Sequence, residues 1–204
     1  NEAMERLSTG KRINKASDDP AGIHQVMRLN AEIQGIETAS KNAADGQSLI
    51  DTLETSLSEV QSILLRMREL TIQAISDTNS AADRLALDSE LSQLELEITR
   101  IGSTTSFGGK PVFDGNLHYL QIGPRSGNTL EVQAYTLSAS TLGLTQDLTT
   151  RNNAENYLGI IDTAIEDINE KRGAAGALSN RLDFIMSNLD NSRVNLIKSR
   201  SILE

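Results

Sequence analysis

A chain of 204 residues with a formal net charge of −9 and no cysteine lacks the cationic surface that nucleic acid or an anionic membrane requires. It also lacks the thiols for disulfides or Cys-ligated metals. Hydrophobic residues make up 38% of it but aromatics only 3%, with no tryptophan, so the bulk that fills a rounded core around a deep pocket is missing. No apolar run approaches the ~18–20 residues that span a bilayer, and the start carries no signal-peptide pattern. The first residue is Asn1, and the last ones, Leu203-Glu204, stop inside a running heptad with no capping residue. The chain therefore reads as a fragment with both termini removed.

In chain order, the first helix signal is Ser17-Asp18-Asp19-Pro20, where proline fits the first helical position and the preceding aspartate caps free amides. Leu29, Ile36, Ala43, Ile50, Leu57 and Leu64 then recur every seven residues, flanked by Val26, Ile33, Leu53, Val60 and Met67. A helix over about 20–75 would be roughly 80 Å long, far beyond the usual ~11–12 residues. Ser76 to Ser80 breaks it, and Ser80 with Asp83 forms a capping box. Leu87, Leu91, Leu94, Ile98 and Ile101 give the next helix, about 81–102, a single apolar face. The short connection folds it back antiparallel.

Residues 103–151 change character. Gly108-Gly109, Pro111, Gly115, Gly123-Pro124 and Gly127 punctuate them, and two β-rich runs predict a hairpin over about 117–135. Helix resumes near Asn152, with Glu155 as reciprocal cap, over about 152–203. Ile161, Ile168, Ala175, Leu182, Leu189, Leu196 and Leu203 form an unbroken sevenfold series, beside Leu158, Ile165, Ile185 and Met186. Gly173 and Gly176 weaken this helix or let another helix approach closely. The expected fold is mainly α: an elongated antiparallel bundle of long coiled-coil-like helices with one β-hairpin.

Candidate chemistry is sparse. His24 and His118 are the only histidines, far apart and without further ligands, so they read as surface or packing residues rather than a metal or nucleophilic site. Asp18-Asp19 reads as a helix cap, since a helix N-terminus favours negative charge, and it lacks the alternating oxygens of a calcium loop. Gly108-Gly109-Lys110 lacks the strand-to-helix context of a phosphate cradle and reads as a loop. Glu54, Glu59, Glu69, Glu90, Glu95 and Glu97 read as solvated helix faces. No enzyme, cofactor or metal is expected.

Several strings add a resemblance. Arg6 to Asn14 (RLSTGKRIN) with Ser17 to Gly22 (SDDPAG), Asn42 to Gly46 (NAADG), Arg66 to Ala74 (RMRELTIQA), Thr105 to Phe113 (TSFGGKPVF), Ser179 to Leu182, Asn188-Leu189 and Ser199 to Ile202 resemble successive blocks of bacterial flagellins, in order and over nearly the whole chain. The resemblance implies a rod domain over 1–204, with 1–19 as a connecting segment, 103–151 as the loop and hairpin region, and the terminal helices and variable outer domains absent. It implies a structural subunit that assembles with other flagellin subunits into a helical propeller for swimming. Such a subunit would be extracellular, exported through the flagellar secretion channel without a cleaved signal, while this fragment would remain a soluble monomer. Two recognition sites are also implied. Glu5 to Val26 is similar to the segment sensed by a plant receptor kinase. Arg66, Leu70 and Glu90 match positions contacted by the vertebrate Toll-like receptor for flagellin, with Leu65, Glu69, Gln73 and Leu87 as neighbours. The rival readings are a hook–filament junction protein, which shares the rod and a similar start, a generic coiled-coil adaptor, for which the hairpin would have no purpose, and, more distantly, an enzyme.

Overall fold

The structure, a computed structural model, describes residues 2–10 and 17–203. In chain order its elements are α1 (Glu2–Thr9), α2 (Pro20–Ile75), α3 (Ala81–Thr104), β1 (Ser106–Phe107), β2 (Lys110–Pro111), β3 (Leu117–Gln121), β4 (Thr129–Gln133) and α4 (Arg151–Leu203). The fold is mainly α, with long helices and two small antiparallel strand pairs, β1-β2 and β3-β4. It divides into two compact units. The first comprises Asn1–Gln47, Tyr119–Glu131 and Arg181–Glu204; the second comprises Ser48–His118 and Val132–Asn180.

Helix boundaries follow the capping chemistry. Asp19 Oδ1 accepts hydrogen bonds from the amides of Ala21 and Gly22 at 3.1 and 2.9 Å, and Pro20 opens α2 as its sequence requires. At the other end of α2, Arg84 of α3 donates to the carbonyls of Ala74 and Ser76 at 2.9 and 3.1 Å, satisfying acceptors that the helix leaves open. Ser80 and Asp83 form the expected reciprocal box, with amide contacts of 3.2 and 2.9 Å. These Ser80 hydrogen bonds hold the Asp83 carboxyl below the usual carboxylate range.

The first unit packs the N-terminal part of α2 against the C-terminal part of α4. Ile36, Ala39 and Leu189 are buried together, with Ile185 and Leu196 half-buried around them. Arg200 reaches Asn30 at 2.9 Å, which sets the two helices antiparallel. The tip of the β3-β4 hairpin closes on α2 through two glycines. A Cβ on Gly35 would lie 2.8 Å from Pro124 Cβ, and one on Gly46 would lie 2.4 Å from Leu120 Cδ1. Asn42 Nδ2 then donates to the Gln121 carbonyl at 2.9 Å. These glycines serve close approach, which their place in a helix otherwise disfavours.

The second unit contains three helices. Arg66 of α2 meets Glu90 of α3, while Arg84 meets Ala74, so α3 runs back along α2. Between α2 and α4, Arg172 pairs with Glu54 at 2.6 Å, Gln61 Nε2 donates to Asn169 at 2.8 Å and Arg68 pairs with Asp162 at 2.7 Å, an antiparallel ladder. Its core includes Leu57, Val60, Leu64, Met67, Ile98, Tyr157, Ile161 and Ile168, all at 0% exposure. The residues after the hairpin seal it with Leu137, Leu144 and Leu148, at 6%, 1% and 0%. Gly102 is needed for that seal, because a Cβ there would lie 1.9 Å from the Leu137 carbonyl oxygen.

Several expectations need correction. Residues Glu2–Thr9 of the expected connecting segment are helical. The Gly108-Gly109 loop is a tight hairpin pairing Ser106 with Pro111 and Phe107 with Lys110. Both glycines have positive φ, +57° and +80°, the backbone that a two-residue turn between twisted strands demands. α4 begins at Arg151, capped by Thr150 Oγ1 accepting from the Asn153 amide at 3.1 Å. Glu155, expected as the reciprocal cap, instead pairs with Arg151 at 3.0 Å. Gly173 and Gly176 admit no neighbouring helix, since a Cβ on either meets nothing within 4 Å.

Candidate functional site

The residues singled out from the resemblance fall on α2 and α3 of the second unit. Arg66 is their centre. Its guanidinium donates to Glu90 Oε1 from Nε at 3.0 Å and from Nη2 at 2.8 Å, and its Nη1 donates to Glu69 Oε2 at 3.1 Å. Donating these hydrogen bonds to Glu90, and then to Glu69, raises the Arg66 pKa, so its charge is held firmly. The cluster stays open to water, with side-chain exposures of 50% for Arg66, 69% for Glu69 and 45% for Glu90. Two carboxylates therefore pre-orient one arginine on a wet surface, an arrangement that costs a partner little side-chain entropy on docking.

Leu65 is exposed beside Arg66, Gln73 is exposed and Leu87 is half-buried. Leu70 lies underneath at 1% exposure. Its register on α2 places it with Leu64, Met67 and Ala74 on the inward stripe, so it supports the face without lying on it. The structure thus brings Leu65, Arg66, Glu69, Gln73, Leu87 and Glu90 to the surface and withdraws Leu70.

Other candidates stay apart. His24 is exposed on α2, while His118 is half-buried with Nε2 3.3 Å from Asp114 Oδ1. Among the described residues no group of three or more His, Asp or Glu could hold a metal ion, and no helix is long and apolar enough to cross a membrane. Of the glutamates read as solvated, Glu95 is different. It is half-buried and accepts from the hydroxyl of fully buried Tyr157 at 2.5 Å. Burial raises the Glu95 pKa, and burial also pushes the Tyr157 hydroxyl far above its ordinary value. The sequence hides this pair because Glu95 and Tyr157 are 62 positions apart.

Sequence reading also missed a set of exposed apolar side chains. In the second unit these include Leu85 and Leu96 on α3, at 59% and 63% exposure. Eleven residues apart, they share one face, opposite the buried Leu91 and Ile98. In the first unit Phe184 on α4 is 78% exposed. The signal was available, because Phe184 falls off the Leu182–Leu189 heptad and an aromatic there has no seam to enter.

Residues 1–118 match a family described as the bacterial flagellin N-terminal helical region. Over 98% of its length the chain is 40% identical to a flagellin of Halalkalibacterium halodurans, of which it covers 75%. The chain belongs to the bacterial flagellin family. It spans 36% of the length of the longer polar flagellin F of Vibrio parahaemolyticus, to which it is 42% identical over 65% of its own residues. The crystal structure of Bacillus cereus flagellin superposes with a TM-score of 0.67 at 35% identity, over 73% of this chain and 88% of that one. A putative flagellar hook-associated protein from Vibrio parahaemolyticus shares the fold alone, with a TM-score of 0.78 at 16% identity over 91% of this chain and 99% of its own. Flagellins are structural subunits of the extracellular flagellar filament, and the motif blocks from Arg6 onward carry that membership in the sequence.

Proposed function

We propose that this chain builds a flagellar filament by packing the outward faces of its helices against other flagellin subunits, giving a helical propeller for swimming. The observation that carries the reading is the two-sidedness of α3. Its inner residues Leu91 and Ile98 are 1% and 0% exposed, whereas Leu85 and Leu96 on the opposite face are 59% and 63% exposed. Aligned exposed leucines on an otherwise hydroxyl-bearing face favour burial by association. In the bacterium that encodes the chain, deleting its gene and restoring it with Leu85→Glu and Leu96→Glu should give exported, helical protein and few or no filaments by electron microscopy. Filaments of normal length and number from that strain would overturn the proposal. Export unfolded through the flagellar channel without a cleaved signal, and residues 1–204 acting as one rod domain, belong to the same reading.

A second reading rests on the Arg66 cluster. By family resemblance, the face of Leu65, Arg66, Glu69, Gln73, Leu87 and Glu90 is a contact surface for the vertebrate Toll-like receptor for flagellin, with Leu70 holding it from beneath. Arginine pre-oriented by carboxylates is a common anchor at protein interfaces. Arg66→Ala should lower receptor signalling at least tenfold while leaving helicity unchanged, and equal potency of the two proteins in a receptor reporter assay would refute it. The segment from Glu5 to Val26 is the corresponding proposal for the plant receptor kinase; residues 11–16 of it lie outside the described residues.

A further inference from the structure

Arg66 and Glu90 stand on different helices of the second unit, so their contact depends on where α3 lies along α2. Arg66 Nε and Nη2 both donate to one oxygen, Glu90 Oε1, at 3.0 and 2.8 Å. A slide of α3 by one residue's rise, about 1.5 Å, would misalign both bonds. The pair cannot by itself prevent that slide. Its side chains are 50% and 45% exposed, and an exposed ion pair is weak. The apolar seam beneath, with Leu91 and Ile98 at 1% and 0% exposure, favours contact without imposing a direction.

Directional contacts lie on the other flank of α3. Asp88 and Glu95, seven residues apart, share one side of the buried Leu91–Ile98 stripe, and Glu90 lies on the other side. At 3.6 residues per turn, Glu90 and Glu95 point roughly 140° apart. Glu95 Oε1 accepts from the Tyr157 hydroxyl of α4 at 2.5 Å, and Asp88 Oδ1 accepts from the Leu148 amide at 2.8 Å. Tyr157 and Leu148 are both at 0% exposure and Glu95 is half-buried, so water competes little for these bonds. In such surroundings a hydrogen bond is both stronger and strict about geometry.

We propose that the Tyr157 hydroxyl is a positioning group for the Arg66 surface: by holding Glu95 it sets α3 along α2 so that Glu90 meets Arg66. Tyr157 is fully buried and touches no partner, so its effect on recognition runs entirely through α3. A phenylalanine in its place would fill the same space and hold nothing. The inference rests on the receptor reading, which gives the Arg66 face its task, while the positioning itself can be measured in the free protein.

Hydrogen exchange of the Arg66 Nε–H, followed by NMR and assigned by its loss in Arg66→Lys, reports the contact directly. Tyr157→Phe should speed that exchange severalfold, toward the rate in Glu90→Ala, with helicity unchanged by circular dichroism. Glu95→Gln keeps an acceptor for the hydroxyl and should leave exchange slow. Tyr157→Phe combined with Glu95→Met makes both partners apolar, so it should recover stability to urea yet keep exchange fast. The double variant set against Glu95→Gln makes the same comparison if Tyr157→Phe alone unfolds. Parental exchange in Tyr157→Phe would overturn the proposal. So would a double variant that regains slow exchange together with stability, since Tyr157 would then act by packing alone. In the receptor reporter assay Tyr157→Phe should lose severalfold in potency, less than Arg66→Ala, and full potency beside a weakened Arg66→Ala would count equally against it. If Arg66→Ala itself keeps full potency, the receptor reading fails while the exchange rates still decide the positioning.

Discussion

The two units are built from the same long helices, yet they bury them differently. In the second unit α3 and the residues after the hairpin close over the seam between α2 and α4, and Leu57, Leu64, Tyr157, Ile161 and Ile168 reach 0% exposure. In the first unit two helices and a hairpin tip share the work. There Val26, Ile33 and Leu189 retain 8%, 6% and 7% exposure, and Ile185 and Leu196 are only half-buried. A heptad stripe on two helices covers one line of contact, and it takes a third helix to enclose that line completely. The first unit, where no third long helix lies along that line, also leaves Phe184 of α4 largely exposed.

The contrast is sharpest at the seam. Leu64→Ala in the second unit should cost about 3–5 kcal/mol, because the removed methyls leave a cavity in a closed core. Leu196→Ala in the first should cost about 1–2 kcal/mol, since a half-buried side chain has less to lose. Urea unfolding followed by circular dichroism reads both, and equal losses would erase the distinction. Gly102→Ala comes next. The added Cβ would meet the Leu137 carbonyl at 1.9 Å, so overpacking of about 1–3 kcal/mol is expected. Thermolysin cutting before Leu142, Leu144 or Leu148 should accelerate if the seal loosens.

Glu95 gives a smaller effect with a definite sign. Burial raises its pKa in the folded chain, so its neutral form is favoured by folding. Its stabilising contribution is therefore full below the unfolded carboxyl pKa and is lost as pH rises through the folded value. Glu95→Gln should remove that part of the pH dependence and flatten the stability profile across the weakly acidic range. Unaltered slopes in parallel melts would show that water, not protein, solvates this carboxylate. The smallest expected change is a gain. Gly173→Ala has open space around it, so helix propensity alone should stabilise the second unit by up to about 1 kcal/mol. A loss there would mean that the isolated chain packs something against this face.

Much of this was legible in advance because it depends on neighbours along the chain. Asp19-Pro20 and Ser80 with Asp83 marked helix starts, and the sevenfold spacing marked the buried stripe from Ile36 to Met67. The candidate surface was legible only through the motif from Arg66 to Ala74. Leu70 was misplaced onto it because a string of letters does not reveal which face of a helix a third helix covers.

Local spacing thus determined where the helices begin, which stripe turns inward and that two short strands pair, since capping and periodicity act over a few residues. Tertiary packing alone decided that Gly35, Gly46 and Gly102 are points of close approach while Gly173 and Gly176 are not, and that Glu95 meets Tyr157. It also decided which apolar side chains remain uncovered. Each of those outcomes depends on what a distant segment brings to within a few ångströms, a distance that no periodicity along the chain encodes.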